Sequence, residues 1–188
     1  MQSCFRAKLE DIIRKIKPTE GSLLDVGGDE RSVDKKMSGF NPARYVLLDI
    51  NQNNPQAEQV NSDFNLPFPD IGKFDQIIAT GCVNYVYDPI QFFKNLVSCS
   101  KQGTELVLEV DIIPAYAAKN DMCRWTNFMA VRMLKMFHYD LTATYLIKKE
   151  DFDAYFKWAQ TERWRIENSG DTRTWLGGVF ISKYNPDE

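Results

Sequence analysis

The sequence has few of the features that mark secreted, membrane or metal-binding proteins. Its 188 residues include four cysteines and one histidine, and the cysteines are scattered without a close pair. That pattern is typical of reduced thiols and argues against a disulfide framework or a zinc site. No stretch approaches the roughly 18 to 20 apolar residues of a membrane span, and the N-terminus lacks the apolar segment of a secretory signal. We therefore expect a cytoplasmic protein with no metal site and no membrane span.

Neither sign of charge dominates the chain. Lysine and arginine number 23, aspartate and glutamate 26, and the formal net charge is −3 at pH 7. Since no run of basic residues stands out, no nucleic-acid partner is expected. Hydrophobic residues make up 44% and aromatic residues 13% of the chain, which argues against disorder. With no internal repeat or interdomain linker, residues 1–188 are predicted to form a single domain.

Short apolar runs alternate with helical patterns in the first part of the chain. The predicted strands are Ser22–Val26, Arg44–Ile50, Phe74–Thr80 and Thr104–Val110. One helix is predicted before the first strand and ends before Pro18, and another begins where Asp88 is the N-cap and Pro89 the first helical residue. Nearly continuous apolar strands that alternate with helices are typical of a parallel sheet covered on both faces. The sequence therefore predicts an α/β domain.

The pattern changes after Asp111. Residues 112–147 are rich in methionine and aromatic residues and predict helices, which we interpret as a helical insertion or as a lid over a binding site. Residues 148–159 predict a further amphipathic helix. The runs WRIEN (164–168) and WLGGVFISKY (175–184) predict a closing β-hairpin.

Four loops leave strands at the edge where open α/β sheets bind ligands. In the first, Gly27 and Gly28 let the backbone approach a ligand closely. In the second, Asp49 ends its strand, and a carboxylate there accepts both hydroxyls of a ribose. The third offers Asp63 to an adenine amino group and Phe64 for stacking, and the fourth, ATGCVNYVYDP, follows the central strand. Each signal is weak alone, but their order and spacing together indicate a nucleotide-like ligand.

Residues 22–110 resemble a class I S-adenosylmethionine-dependent methyltransferase. LLDVGG is similar to that family's first glycine motif, YVLLDIN to its ribose-binding strand end, and SDFNLPFPD to its adenine loop. The segment from KFDQIIATGC to LVLEVD is the most specific part of the likeness. The resemblance implies a Rossmann-like, seven-stranded, mostly parallel sheet with an antiparallel last strand and helices on both faces. It also implies S-adenosylmethionine as cofactor and methyl transfer to a small-molecule acceptor.

The resemblance assigns cofactor-binding residues by their position in these motifs. They are Asp25, Gly27, Gly28, Asp49, Ile50, Asp63, Phe64, Thr80, Gly81 and Cys82. In chain order, these residues are expected to shape the methionine end of the pocket, bind the ribose, bind the adenine and line the central part of the cofactor.

Two departures from the family pattern leave an alternative open. Asp29 and Arg31 stand where the glycine motif usually continues with glycine, and Asn84-Tyr85 replaces a frequent Glu-His. A negative charge at Asp29 near the cofactor's carboxylate costs affinity unless a cation such as Arg31 compensates. The alternative is a catalytically lapsed domain that serves as a binding or assembly module. A nicotinamide oxidoreductase is disfavoured, because the full glycine fingerprint of that class is missing.

Methyl transfer does not require a catalytic triad, because the main task is to hold the acceptor atom in line with the methyl group. The weak candidates for a catalytic role are Asn84, Tyr85 and His138, and Tyr87 and Asp111 are further acceptor-side candidates. His138 lies at the end of an apolar helix, which favours a capping or core role over that of a catalytic base.

Overall fold

Seven strands form a single mixed sheet in the order β3-β2-β1-β4-β5-β7-β6. The computed structural model describes residues 11–28, 40–51, 57–111, 125–148 and 175–187. The strands are β1 (Ser22–Val26), β2 (Arg44–Asp49), β3 (Glu58–Asn61), β4 (Phe74–Ala79), β5 (Ser100–Asp111), β6 (Tyr139–Lys148) and β7 (Trp175–Tyr184). The pairs among β1 to β5 are parallel, whereas β7 runs antiparallel to both β5 and β6. The predicted Rossmann-like sheet with an antiparallel last strand is confirmed.

Two helices and one short 3-10 helix lie within the described ranges. They are α1 (Pro89–Ser98), α2 (Asn127–Met136) and the 3-10 helix Val83–Tyr85, and residues 11–13 are also helical. The Asp88 carboxylate accepts the Gln91 amide at 3.0 Å, so Asp88 is the N-cap that the sequence predicts. Thr126 caps α2 in the same way, through Met129. None of the helices described is both long and apolar enough to cross a membrane.

An extensive apolar cluster lies on the sheet face that carries α1 and α2. Alternate residues of the central strands belong to it, among them Leu24, Ile77 and Leu108. Phe93 of α1 is fully buried in this cluster, with its ring centroid 6.2 Å from Trp125 and 5.3 Å from Phe137. Intervening strand residues such as Leu23, Leu47 and Ile78 face the other way and are also fully buried. The sheet is therefore covered on both faces, as the continuous apolar strands indicate.

One part of the helical region is a strand. Residues 139–147, which were predicted to be helical, lie in β6, so that prediction was wrong over this stretch. The helix α2 ends at Met136, and His138 has a positive φ of 61°, which turns the chain back along the sheet. β-branched and aromatic residues follow, and these pack well on a pleated surface. Methionine and aromatic content alone did not separate the helix from the strand.

The closing hairpin also differs from the prediction. β7 pairs with β5 on one side and with β6 on the other. The WRIEN segment, which was predicted to be its hairpin partner, lies outside the described residues. Of the helix predicted over 148–159, only Lys148 is described, and it is the last residue of β6. Strand β3 was not predicted, because its sequence EQVN is polar and mostly exposed. β5 starts at Ser100 and not at Thr104, and Gly103 within it has a φ of 82°. Residues 112–124 of the expected lid lie outside the described residues.

Asp75 in β4 joins the amino-terminal ends of three neighbouring strands. Its carboxylate accepts the backbone amide and the hydroxyl of Ser22, each at 2.8 Å, and lies 2.6 Å from the Lys101 ammonium. The Lys101 contact, and after it the two bonds from Ser22, lower the pKa of Asp75 from 3.8 to about 2. Because the folded-state pKa is the lower one, the ionised carboxylate stabilises the fold above about pH 4, and that stabilisation is lost as the pH falls towards 2.

We expect Asp75→Asn to lower the free energy of unfolding at pH 7 and to flatten its decline below about pH 4. Urea unfolding of the two proteins at a series of pH values measures this difference. Asp187→Asn is the matched control, since it removes the same charge from an exposed position near the C-terminus. Parallel stability curves for the Asp75→Asn variant and the parent would contradict the assignment.

Candidate functional site

A cavity of about 530 Å³ opens at the carboxyl ends of the parallel strands. The loops after β1 and β2 contribute Gly27, Asp49, Ile50 and Asn51. The loops after β3 and β4 contribute Asp63, Phe64, Asn65, Gly81, Cys82, Tyr85 and Tyr87. In open α/β sheets, ligands usually bind at the carboxyl ends of the strands, next to the point where the strand order reverses.

Gly27 brings the first loop against the fourth. Its φ is 71°, and its amide donates to the Leu48 carbonyl at 2.8 Å. A Cβ atom at Gly27 would lie 2.3 Å from the Cβ of Cys82, which is closer than two such atoms can approach. Glycine is therefore required here by both the backbone conformation and the close packing of two loops.

Gly81 has the same backbone conformation but a different environment. Its φ is also 71°, and a Cβ atom there would meet nothing within 4 Å. Its amide donates to Oε2 of Glu109 at 2.7 Å, and Glu109 is a β5 residue that is only 2% exposed. A buried carboxylate thus holds the turn after β4, a contact that the sequence pattern did not indicate.

The two loop carboxylates are each oriented by a bond to the residue two positions later. Oδ1 of Asp49 accepts the Asn51 amide at 2.7 Å, which closes a tight turn after β2. Oδ1 of Asp63 accepts the Asn65 amide at 2.8 Å and the Asn65 side chain at 3.0 Å. Oδ2 of Asp63 makes no hydrogen bond within the described ranges, so it is available to a donor in the cavity.

The loop after β3 is supported from beneath by Asn95 of α1. The Asn95 side chain is 3% exposed and donates to the carbonyls of Phe64 at 3.1 Å and Leu66 at 2.8 Å. Its oxygen accepts the Phe68 amide at 3.2 Å. The Phe64 ring packs edge-on against Phe92, with centroids 6.1 Å apart, and Phe64 is 8% exposed. This loop therefore presents Asp63 from a rigid base.

The cavity brings together seven of the residues that the sequence assigned to cofactor binding. They are Gly27, Asp49, Ile50, Asp63, Phe64, Gly81 and Cys82. Asp25, Gly28 and Thr80 are buried and do not line it. Asp25 is fully buried within β1 and accepts a hydrogen bond from the Tyr45 hydroxyl at 3.1 Å, so it is placed under the site and not in it.

The candidate catalytic residues are separated in the structure. Tyr85 lines the cavity, while Asn84 is half-buried in the 3-10 helix and does not line it. His138 is exposed at the opposite edge of the sheet, because its neighbour Tyr139 pairs with Tyr184 near the amino-terminal end of β5. Its carbonyl accepts the Asn185 amide at 2.8 Å, and its position is that of a turn residue. Asp29 and Arg31 lie outside the described residues.

Asn65 and Asn51 line the cavity but were not among the predicted site residues. The only signal for either in the sequence is a polar residue two positions after a loop aspartate, which is a turn pattern more often than a binding one. No group of three or more His, Cys, Asp or Glu side chains in the described part of the chain is arranged to hold a metal ion.

Residues 1–146 match the family described as a methyltransferase domain. The chain belongs to that family. This confirms the assignment to the class I S-adenosylmethionine-dependent methyltransferases, and with it S-adenosylmethionine as the cofactor of the family. No protein among the curated sequences matches the chain.

Solved structures with the same fold include several methyltransferases. One is an S-adenosylmethionine-dependent methyltransferase from Mesorhizobium loti, with a TM-score of 0.66 and 12% identity over 96% of this chain and 100% of that one. Another is the N-methyltransferase NodS from Bradyrhizobium japonicum in complex with S-adenosyl-L-homocysteine. Its TM-score is 0.65, and it is 13% identical over 97% of this chain and 88% of that one. A third is a TehB-like methyltransferase from Corynebacterium glutamicum, with a TM-score of 0.60 and 13% identity over 94% of this chain and 86% of that one. At sequence identities this low, the similarity shows a shared fold and nothing more specific.

We expect Gly27→Ala to destabilise the protein more than Gly81→Ala. Both changes place a side chain at a positive φ, which costs about 1 to 2 kcal/mol. Only Gly27→Ala also forces its methyl group into Cys82, which adds about 1 to 3 kcal/mol of overpacking. Urea unfolding of the two variants measures the difference, and equal losses would show that the two loops do not pack as closely as described.

Proposed function

We propose that this chain transfers a methyl group from S-adenosylmethionine to a small-molecule acceptor and that the cavity is its cofactor site. The observation that carries the proposal is the convergence of Asp49 and Asp63 with the positive-φ glycines Gly27 and Gly81 on a single cavity. Its volume of about 530 Å³ lies within the range of about 300 to 1,000 Å³ that is typical of small-molecule sites.

The residues present fit the cofactor group by group. Asp49, at the end of β2, suits the two ribose hydroxyls. The open oxygen of Asp63 suits the amino group of adenine, and Ile50 and Phe64 supply apolar surface beside it. Gly81, which lacks a Cβ where there is open space, suits a close approach of the ligand to the backbone. This division of roles deepens the sequence-based assignment of the same residues.

When bound, S-adenosylmethionine supplies an electrophilic methyl group on a sulfonium. The residues of the chain have to bind, orient and exclude water, and a general base is needed only if the acceptor must lose a proton. Tyr85 and Tyr87 line the cavity and are 42% and 57% exposed, so their side chains are available to an acceptor.

A second candidate function is a binding or assembly module without activity. Asp29, in place of a motif glycine, favours it. Calorimetry with S-adenosylmethionine and S-adenosylhomocysteine separates the two functions before any acceptor is known. We expect binding of both ligands. The absence of both binding heat and a thermal shift at millimolar ligand would contradict the methyltransferase proposal and favour the binding module.

We expect Asp49→Ala to weaken S-adenosylhomocysteine binding by about 1.5 to 3 kcal/mol, the usual loss when hydrogen bonds to a charged group are removed. Asp49→Asn keeps an acceptor for the Asn51 amide and should lose less affinity, with little change in melting temperature. Asp70→Ala is the control, because Asp70 is exposed and lies outside the cavity. If Asp49→Ala binds as tightly as the parent, the ribose assignment is wrong.

A further inference from the structure

Asn65 joins two loops that come from well-separated strands. Its side-chain nitrogen donates to Oδ1 of Asp63 at 3.0 Å and to the carbonyl of Tyr85 at 3.1 Å. Its side-chain oxygen accepts the Tyr87 amide at 2.9 Å. Both donor hydrogens and the acceptor oxygen of this amide are therefore engaged, all within residues that line the cavity.

The position of these contacts in the sheet gives them their significance. Asn65 follows β3 and the two tyrosines follow β4, and in sheet order β2 and β1 lie between those strands. The ends of β1 and β2 carry Gly27 and Asp49. The Asn65 contacts therefore connect the loops on either side of the strand ends that form the middle of the cavity.

The contacts also decide what each loop presents. On one side, Asn65 occupies Oδ1 of Asp63 and leaves Oδ2 available. On the other side it binds only the backbone of Tyr85 and Tyr87, so it fixes where both side chains begin without depending on their rings. An amide is required, because an aspartate has no donor for the Tyr85 carbonyl and an alanine has neither donor nor acceptor.

We propose that Asn65 is a positioning residue that holds the Asp63 loop and the Tyr85–Tyr87 segment together as one unit at the adenosine end of the cofactor site. The proposal rests on the proposed function, in which Asp63 binds the adenine. Asn65 acts through Asp63 and the tyrosine backbone, and it is half-buried at the cavity rim and not in the apolar cluster. Its removal should therefore change ligand binding more than the stability of the fold.

The test compares the parent with Asn65→Ala and Asn65→Asp, and Asn61→Ala is the matched control. Asn61 is an exposed β3 residue outside the cavity, so its replacement removes the same side chain close by. Calorimetry with S-adenosylhomocysteine and with 5′-methylthioadenosine, which shares the adenosine but lacks the amino-acid end, reports on the adenosine subsite.

We expect Asn65→Ala to weaken the binding of both ligands by a similar factor of about ten or more, because several hydrogen bonds are lost. Asn65→Asp should also bind weakly, since it loses the donor and adds a negative charge beside Asp63. In a double-mutant cycle, Asp63→Ala and Asn65→Ala should be less than additive, because one acts through the other. Additive losses, or a parent-like affinity in Asn65→Ala, would overturn the proposal.

Hydrogen exchange provides a readout that needs no ligand. The Tyr87 amide should exchange faster in Asn65→Ala than in the parent or in Asn61→Ala, at an unchanged melting temperature. Unchanged Tyr87 protection would overturn the link between the loops even if no ligand binds. A different outcome is also possible: the parent protein binds neither ligand, but the Tyr87 amide still exchanges faster in the Asn65→Ala variant. That outcome would contradict the function proposed for the cavity and, with it, the positioning role of Asn65.

Discussion

The parallel pairing of β1 with β2 and β4 is the constraint on which the site depends. In that register Val26 lies beside both Leu48 and Ala79, so three strands end at one level. The residues that follow are Gly27, Asp49 and the segment leading to Gly81, and they emerge side by side at one edge. A ladder of backbone hydrogen bonds between buried strands is hard to shift, because a register slip would expose apolar side chains and bury others wrongly. The apolar strands thereby place polar residues that are far apart in sequence within one cavity.

Above this edge, the loops are held by polar side chains and not by apolar packing alone. Asn95 supports the Asp63 loop from α1, Glu109 holds the turn at Gly81, and Asn65 joins the loops after β3 and β4. Asn95 and Glu109 are buried. Asn95 donates to two loop carbonyls and Glu109 accepts a loop amide, so both bind backbone groups that would otherwise have few regular partners. Such bonds are strong in a buried setting and specific in direction, so they restrict the loops more than their apolar contacts would. The cavity edge is therefore fixed at several points by directional hydrogen bonds.

The match between prediction and structure follows from how each element obtains its stability. Strands β1, β2 and β4 are buried on both faces and so carry a continuous apolar signal, and α1 begins at an Asp-Pro pair that acts locally. β3 has no such signal, because it is polar and is defined by its pairing with β2. β6 follows a methionine-rich helix, and its identity depends on pairing with β7, which begins only at Trp175. Pairing between distant segments is what local patterns do not contain.

The candidate site divides along the same line. The order of the glycine turn, Asp49, Asp63 and Gly81 along the chain indicated the family and the edge of the sheet where these residues lie. The glycine turn, Asp49 and Gly81 each come at the end of a strand that local pattern identifies, whereas Asp63 was assigned by its motif alone. The tertiary structure alone decided that Asp25 lies buried beneath the site, that His138 is at the far edge, and that Asn65 connects two loops. The physical reason is that the direction and partners of a side chain depend on strand register and on loops that meet across the sheet. Neither is encoded in the residues immediately around it.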